Sequence, residues 1–351
     1  MIFEPELMTF ADGRQVTAEN WADRRKEIID ILSHEEYGYT PAAPAKVTGT
    51  VVSTEKKMCA GHAVLEKTEI TFDTPSGPFT FPILYFRPND GGKHPLLVQI
   101  CFRNSIYDSY WSPEEIIDRG YALAGFCYTD VTGDNGDFES GIAALYPRDE
   151  KTGWGKIGMW AFAASRVIDY LAEKPEIDKD NIGVCGHSRL GKTALWCGAQ
   201  DERIKFILSN CSGCSGAAYE RAKHEGGETI ADITGKFPFW FCGNYLKYAE
   251  KPEARPFDQH FLIAASAPRY VSVNSASLDN WADQYGEQLS VIAASPVWEL
   301  LTGTGYNGVK RRAKVGERFL SGNLSYSLRD GVHFFSRNDW NTWMDFIGKH
   351  I

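Results

Sequence analysis

The sequence predicts an α/β protein, a three-layer sandwich whose central sheet is mostly parallel and begins with an antiparallel lead-in. Alternating apolar and polar residues dominate from Lys46 to Phe86, as in antiparallel strands. After the polar turn at 88–92, short apolar runs alternate with helical segments, which is typical of parallel strands joined by crossover helices. At 351 residues, one large domain or two smaller ones could bury an ample core.

The individual elements follow from these patterns in chain order. A helix is expected over 22–33, Pro41 and Pro44 interrupt the chain, and Pro75-Ser76-Gly77 closes a hairpin of the lead-in. Ser112 is expected to cap the helix at 112–119. The remaining predicted strands lie at 95–101, 121–128, 182–185, 206–210, 270–274 and 324–328, and the remaining predicted helices at 158–171, 192–199 and before Ile347.

The composition and organisation of the chain indicate its domain count and the kinds of partner that it excludes. We expect one domain over 1–351, with an N-terminal arm at 1–45 and a cap-like insert at 215–256, because no repeat, linker or low-complexity segment divides the chain. The hydrophobic fraction of 43% and the charged fraction of 24% are ordinary for a soluble globular protein. A net charge of −9 argues against nucleic acid or an anionic membrane surface as a partner.

The N-terminus and the cysteines indicate a compartment. Residues 1–6 lack the basic and apolar regions of a signal peptide, and no window approaches the ~18 apolar residues of a membrane span. We therefore expect a cytoplasmic protein, although a secreted protein that has lost its leader would look the same. Most of the eight cysteines lie in apolar runs, and the C-x-x-C pair Cys211 and Cys214 has no partner pair or nearby histidine. Reduced buried thiols are expected, with no metal and no cofactor.

One turn between a strand and a helix has the features of a nucleophile site. The segment 181–195 reads Asn-Ile-Gly-Val-Cys-Gly-His-Ser-Arg-Leu-Gly-Lys-Thr-Ala-Leu, and Ser188 lies on the turn. Such a turn exposes the serine hydroxyl at the positive end of a helix, and Gly186 and Gly191 leave the space that it needs. Leu190 stands where G-x-S-x-G has its second glycine, so Ser188 could instead be a helix cap. The cations Arg189 and Lys192 beside it favour a nucleophile.

The sequence of this turn and of the segments on both sides of it resembles the glucuronoyl esterases, and among them a bacterial-type member. The resemblance begins near His94, ends in the C-terminal helix, and is carried by 187–192, Gly198-Ala199, 201–204, Ser212-Gly213, 216–218, Trp240-Phe241 with Asn244, 258–260, 267–269, 279–281 and 331–333. Members of that family are α/β-hydrolases that cleave the ester between glucuronic acid on xylan and lignin alcohols. The resemblance implies a serine carboxylesterase that acts on glucuronate esters, or on related uronate-decorated oligosaccharides, through an acyl-enzyme.

A serine nucleophile needs a histidine base and a carboxylate that orients it. Three histidines are considered for the role of the base. His333 follows Gly331-Val332 on a loop after the last predicted strand, where α/β-hydrolases and this family carry the base. His260 precedes an apolar run and is expected to orient a loop or pack beneath the site. His187 flanks the nucleophile, and its ring is expected to line the floor.

The acid of the triad departs from the fungal pattern. Fungal members are expected to carry a glutamate where this chain has Cys211, and a thiol cannot do that work. We expect Asp279 instead, because α/β-hydrolases usually place the acid after the following strand. The resemblance to the bacterial members implies a carboxylate in that same loop. Asp283 and Glu287 are the alternatives, and Asp279 could also be a helix cap. The fungal disulfide is absent as well, since His187 and Phe334 occupy its two positions.

The resemblance also implies the binding residues. Arg189 follows the nucleophile, so its backbone N–H and guanidinium are expected to stabilise the oxyanion. Lys192 lies one helical turn further on and is expected to bind sugar hydroxyls. Trp281 matches a tryptophan that contacts the uronate, and Trp240 matches another in the insert, although a core role for Trp240 is nearly as well supported. A fungal sugar-binding glutamate is lost at 236–238.

Two other functions remain open at this point. One is an acetyl esterase that acts on xylan-type sugars with the same scaffold. The other is a carbohydrate-binding relic that lost its acid at Cys211. In each case the partner is a small molecule or an oligosaccharide.

Overall fold

The computed structural model describes residues 3–104, 108–224 and 226–351, and its strands form one ten-stranded sheet. The strands are β1 Val47–Met58, β2 Ala63–Thr74, β3 Gly77–Pro88, β4 His94–Cys101, β5 Ala122–Cys127, β6 Ile177–His187, β7 Phe206–Asn210, β8 Tyr270–Ala276, β9 Arg318–Phe319 and β10 Leu324–Arg329. Their order across the sheet is β1-β2-β3-β5-β4-β6-β7-β8-β10-β9.

The sheet changes direction at β3, as the sequence predicts. Strands β1, β2 and β3 pair antiparallel, and Pro75-Ser76 turns the hairpin between β2 and β3. From β5 through β4, β6, β7 and β8 to β10 the strands are parallel, and only the short β9 reverses at the far edge. The carboxyl ends of the parallel strands therefore meet at one edge of the sheet, where α/β proteins place their sites.

Nine α-helices lie within the described residues. They are α1 Trp21–Leu32, α2 Pro113–Asp118, α3 Tyr128–Val131, α4 Lys156–Leu171, α5 Arg189–Gln200, α6 Ile230–Lys236, α7 Gln259–Ala264, α8 Gln284–Thr302 and α9 Arg337–Ile347. Every predicted helix is present. Ser112 occupies the N-cap position of α2 but makes no capping hydrogen bond within the described structure, and Pro113 begins the helix. The sequence analysis did not include α8, which carries Pro296 in its interior.

Helices cover both faces of the sheet, which confirms the three-layer class. The side chains of Leu96, Val98 and Ile100 in β4 belong to the core beneath α4 and α5, whereas Leu97 and Cys101 belong to the core beneath α2 and α9. This alternation follows from the period of two along a strand. Because both faces are buried, β4 and β5 are apolar almost throughout. In β8 and β10, apolar residues alternate with buried polar ones such as Ser272 and Ser325.

The arm and the insert both lie beside the helical layer that contains α5. In the arm, α1 continues into a π-helix at Ser33–Tyr37, and Arg25 Nε donates to the carbonyl oxygen of Ala265 at 2.8 Å. The insert consists of α6 and short 3₁₀ helices between β7 and α7. Residues 1, 2 and 225 of these two segments lie outside the described structure, and the division into arm and insert stays a prediction. No described helix is both long enough and apolar enough to span a bilayer.

Candidate active site

Ser188 lies on a strained turn between β6 and α5. Its backbone has φ 58° and ψ −128°, a combination that costs of the order of 1–3 kcal/mol and persists only where the surroundings impose it. Its N–H donates to the carbonyl oxygen of Asn210 at 2.9 Å, and its side chain makes no capping hydrogen bond in the described structure. A Cβ on Gly186 would lie 2.1 Å from the carbonyl oxygen of Leu190, so the turn requires glycine there.

Asp279 is the carboxylate that contacts the histidine. His333 Nδ1 lies 2.5 Å from Asp279 Oδ2, which leaves Nε2 as the ring nitrogen available to a nucleophile. Burial would raise the pKa of Asp279, but the hydrogen bond and the nearby charge of His333 lower it below its usual value. Asp279 therefore stays ionised beside the imidazole over the whole neutral range.

The two alternative acids serve other contacts. Asp283 Oδ1 lies 2.8 Å from His224 Nδ1 and also accepts from the N–H of Gly286 in the first turn of α8. Glu287 is fully buried and accepts from the N–H groups of Ser212 at 2.8 Å and Gly213 at 3.0 Å. Burial raises the pKa of Glu287 to about 7, so it supports the turn after β7 as a partly protonated group.

Cys211 lies directly beside Asp279 and His333. Its sulfur is within 4.8 Å of a ligand atom of Asp279 and of His333, and its backbone has φ 46°. Burial raises the pKa of Cys211 well above its usual value, so it remains a thiol. The position that resembles the fungal acid thus holds a neutral group, and the carboxylate reaches the histidine from the next loop.

The loops that carry Asp279 and His333 are hydrogen-bonded to each other. Leu278 N–H donates to the carbonyl oxygen of Gly331 at 2.9 Å, and Ser277 Oγ donates to Asp330 Oδ1 at 2.8 Å. Since β8 and β10 are neighbours in the sheet, these bonds extend the pairing of the strands into the loops. The distance between Asp279 and His333 is therefore set by the sheet.

All of the predicted site residues line one cavity of about 410 Å³. They are Ser188, Arg189, Lys192, Trp240, Asp279, Trp281 and His333, and the lining also includes Cys211, Glu228, Lys236 and Phe237. His260 is not among them. It is buried in α7, and its Nε2 lies 3.1 Å from the carbonyl oxygen of Pro5 in the N-terminal arm.

Arg189 is held by a carboxylate that the sequence analysis missed. Its guanidinium pairs with Asp134, which also accepts from Trp240 Nε1 at 2.7 Å and from the Tyr128 hydroxyl at 3.0 Å. Trp240 is 3% exposed and stacks flat on Phe237 at 4.0 Å. With one face covered and its N–H committed, Trp240 contributes to the wall that positions Arg189. Asp134 follows β5, and its place beyond the carboxyl end of a parallel strand was the available signal.

Lys192 has an acidic neighbour in the cavity that the sequence did not indicate. Its ammonium donates to the carbonyl oxygen of Ser212 and lies 4.0 Å from the carboxylate of Glu228. Both side chains are less than a tenth exposed. Glu228 N–H in turn donates to the carbonyl oxygen of Trp281 at 2.9 Å. Glu228 was missed because it lies in an irregular segment before α6, where no periodic pattern indicates which way a side chain points.

Trp281 and Lys236 form the mouth of the cavity. The indole of Trp281 is 46% exposed, and Lys236 Nζ lies 4.6 Å from the centre of its ring. Lys236 occupies the segment where the resemblance predicts the loss of a sugar-binding glutamate. A cation thus stands at the mouth, whereas the carboxylate of the pocket comes from Glu228.

A strained serine turn, a histidine bonded to a carboxylate, and a parallel sheet that carries all three at its carboxyl edge define an α/β-hydrolase. Comparison with known proteins then places the chain more narrowly. A family model described as glucuronyl esterase, fungi, matches residues 88–302, and the chain belongs to the glucuronoyl esterase family. It is a carboxylic ester hydrolase, as predicted.

Individual relatives agree with this assignment. Carbohydrate esterase MZ0003, from an unknown prokaryotic organism, is 32% identical over 99% of this chain and 89% of its own length. A solved glucuronoyl esterase from Solibacter usitatus is 33% identical and superposes with a TM-score of 0.91 over 99% of this chain and 98% of its own. The 4-O-methyl-glucuronoyl methylesterase of Schizophyllum commune is 27% identical over 85% of this chain and 73% of its own length.

Proposed function

We propose that Ser188, His333 and Asp279 hydrolyse esters of glucuronic acid or of related uronate-decorated oligosaccharides. The observation that carries this assignment is the bond of 2.5 Å between Asp279 and His333 in the cavity that also contains Ser188. The relatives named as glucuronoyl esterases supply the class of substrate.

The reaction follows from the roles of these three groups. Ser188 Oγ attacks the ester carbonyl carbon while His333 Nε2 takes the hydroxyl proton, and Asp279 stabilises the imidazolium that forms. Collapse of the tetrahedral intermediate breaks the bond to the alcohol, which leaves with the proton from His333. Water then attacks the acyl-enzyme with His333 as base and releases the uronic acid and Ser188.

Arg189 stabilises the negative charge that develops on the carbonyl oxygen. Its pairing with Asp134 and the packing of Trp240 fix the guanidinium before substrate arrives. A preorganised donor of this kind is typically worth about 3–4 kcal/mol of the barrier. The strained turn at Ser188 supports the same role, because a strand-to-helix turn of this kind typically directs backbone N–H groups towards the oxyanion.

The sugar ring binds on the opposite wall. Lys192 donates to hydroxyl groups and Glu228 accepts from them, while Trp281 offers an exposed aromatic face. This pair of charges argues against an acetyl group as the acyl part. An acetyl ester would place only a methyl group there, and the desolvated ammonium and carboxylate would gain no partner from it.

The leaving alcohol lies on the side of His333, because His333 must protonate its oxygen. That side carries exposed apolar groups on the two bonded loops, with Leu278 65% exposed and Val332 59% exposed. Phe334 adds a third. We therefore assign the rim formed by Leu278, Val332 and Phe334 to the alcohol portion of the ester.

The experiment that tests the assignment combines labelling and turnover. A fluorophosphonate should label the protein at Ser188, and Ser188→Ala should abolish both labelling and hydrolysis of benzyl glucuronate. Ser53→Ala, at an exposed position of β1, serves as the matched control. Undiminished labelling or hydrolysis in Ser188→Ala would remove the mechanism. Faster hydrolysis of an acetylated xylo-oligosaccharide than of the glucuronate ester would favour the acetyl esterase.

The compartment remains a prediction. All eight cysteines are free in the structure, and both a cytoplasmic and a secreted location are compatible with this. The secreted alternative is tested by cell fractionation of the native host with an antibody against the protein.

A further inference from the structure

A buried histidine lies directly behind the base. The ring centres of His187 and His333 are 4.4 Å apart, and His187 is almost completely buried. His187 does not line the cavity, contrary to the expectation that its ring forms the floor. It is instead the end of a chain of polar side chains that leads away from the site.

The chain continues through Asn210 to a buried ion pair. His187 Nδ1 lies 2.6 Å from Asn210 Oδ1, and Asn210 Nδ2 donates to Asp339 Oδ1 at 2.9 Å. Asp339 accepts from Arg329 Nε at 2.9 Å and 3.0 Å, and also from the N–H and hydroxyl of Ser336. Every described neighbour donates to the Asp339 carboxylate, which therefore acts as an acceptor only.

This arrangement fixes the protonation of His187. Because Asp339 accepts, the amide nitrogen of Asn210 must face it, and the amide oxygen must face His187. The proton of the His187 ring is then on Nδ1, and Nε2 is buried without a hydrogen-bond partner in the described structure. Burial, together with the proximity of His333, lowers the pKa of His187 to about 3. The ring behind the base is thus neutral.

Arg329, at the other end of this series of polar side chains, holds the loop that carries His333. Arg329 Nη2 donates to the carbonyl oxygen of Val332 at 3.3 Å and to that of Phe334, the residues on either side of His333. The same guanidinium therefore binds Asp339 and the backbone that carries the base. His333 is thus contacted twice, at its ring by His187 and at its flanking backbone by Arg329. Both contacts lead to the ion pair of Arg329 and Asp339.

We propose that Arg329, Asp339, Asn210 and His187 form a positioning relay that holds His333 in the orientation required for proton transfer. Arg329 fixes the backbone on both sides of His333, and the neutral His187 supports its ring without opposing the positive charge that it acquires during the reaction. These residues act through His333 and do not touch the substrate. The inference rests on the proposed role of His333 as the base.

If the residues of the relay had only a structural role, their loss would have a different effect. Asp339 also closes the capping box of α9 with Ser336, so a structural role would lower the melting temperature and the fraction of folded protein. It would leave the turnover of each folded active site unchanged. Active sites titrated with a fluorophosphonate separate the two, because kcat is then expressed per reactive serine.

The test compares Arg329→Met with Arg329→Lys and Arg318→Met. Arg318, on the neighbouring strand β9, pairs with Asp345 and serves as a control for loss of a surface-side ion pair. We expect Arg329→Met to lower kcat per titrated site about 10- to 100-fold with KM within about twofold, as for misplacement of a reacting group by ~1 Å. Arg329→Lys should recover part of the loss, and Arg318→Met should match the parent protein.

A second variant tests the ring contact if Arg329→Met does not fold. His187→Phe keeps an aromatic ring behind the base but removes the bond to Asn210, and we expect a smaller fall in kcat per titrated site. The double variant should lose less than the product of the two single effects. Unchanged kcat per titrated site in His187→Phe and in any folded Arg329 variant would overturn the relay. If His333→Ala retained full hydrolysis, the proposed base would fail instead, and the two failures are distinguishable.

Discussion

The two walls of the cavity are built by different means. On the catalytic wall, Ser188, Asp279 and His333 follow the carboxyl ends of β6, β8 and β10, which lie on one side of the sheet with only β7 between the first two. On the sugar wall, Lys192 lies on α5, but its partners Glu228 and Trp281 come from an irregular segment before α6 and from a short 3₁₀ helix after β8. Topology alone brings the first set together, whereas the second depends on loop packing and on pairing between side chains.

Because of this difference, substitutions in the two walls should affect different kinetic parameters. The triad shares hydrogen bonds with the sheet and with the strained turn, so an altered group there disturbs a geometry that the chemistry needs within fractions of an ångström. The charges of the sugar wall contact each other and the substrate, so an altered group there changes affinity first. The catalytic wall should thus affect kcat and the sugar wall should affect KM.

The largest effect is expected from the acid of the triad. Asp279→Asn keeps the shape of the side chain but removes the charge that orients and stabilises His333, and kcat for benzyl glucuronate should fall about 10⁴-fold. The measurement is steady-state hydrolysis at pH 7 on protein whose folding is confirmed by circular dichroism.

Glu287→Gln is the matched control for that variant. Its carboxyl is buried close by and is bonded to Ser212 and Gly213, and the amide oxygen of glutamine can accept the same bonds. We expect its kcat to stay within about threefold of the parent, the size of an indirect effect on a neighbouring turn. A larger loss in Glu287→Gln than in Asp279→Asn would transfer the role of the acid to Glu287.

The second effect concerns the sugar wall. Glu228→Gln should raise KM for methyl glucuronate about 10- to 100-fold with little change in kcat, because hydrogen bonds to a charged group are worth about 1.5–3 kcal/mol. The same variant should leave hydrolysis of p-nitrophenyl acetate unchanged, since that ester has no sugar to bind. Equal losses on both esters would mean that Glu228 supports the catalytic wall, and the comparison between the walls would fail.

The sequence predicted that Ser188, Asp279 and His333 lie together, and the reason is physical. β7 begins with an apolar run and β10 alternates apolar residues with serines, and the groups that follow such strands are located by the order of the strands. The match of Ser188, His333 and Asp279 to α/β-hydrolase order then needed no knowledge of side-chain packing. The long helix α8 was missed because Pro296 and a weak apolar stripe hide its periodicity.

The sugar wall was less predictable because its residues are defined by contacts between distant segments. Glu228 is 36 residues beyond Lys192 in the chain, and only the folded insert brings their charges within 4.0 Å. Trp240 resembles a sugar-binding residue in its sequence position, yet its N–H bonds Asp134, which lies 106 residues away. Spacing along a loop carries no direction for a side chain, so such pairings can be read only from the fold.

A third, smaller effect tests the rim that we assign to the alcohol. Val332→Ser should lower the rate for benzyl glucuronate relative to methyl glucuronate about three- to tenfold, because each apolar group removed from contact costs about 0.8 kcal/mol per methylene equivalent. Val315→Ser, at a similarly exposed valine that does not adjoin His333 in the chain, should leave the ratio of the two rates unchanged. If both variants change the ratio equally, the rim does not contact the alcohol.

The smallest effect is on the pH dependence of stability, and it arises from buried titratable groups that lie outside the cavity lining. Burial lowers the pKa of His187 to about 3 and of His260 to about 4, so below pH ~6.5 the unfolded chain binds more protons and stability falls as the pH falls. Burial raises the pKa of Glu36 to about 8 and of Glu287 to about 7, so above pH ~4.5 the folded chain holds more protons and stability falls as the pH rises. Between these limits the two contributions oppose each other. We therefore expect the melting temperature to have a plateau at about pH 4.5–6.5 and to decline on either side. Glu287→Gln should weaken the decline above the plateau. A melting temperature that still rises from pH 6.5 to pH 8 would contradict the assignment of protonated acids to the core.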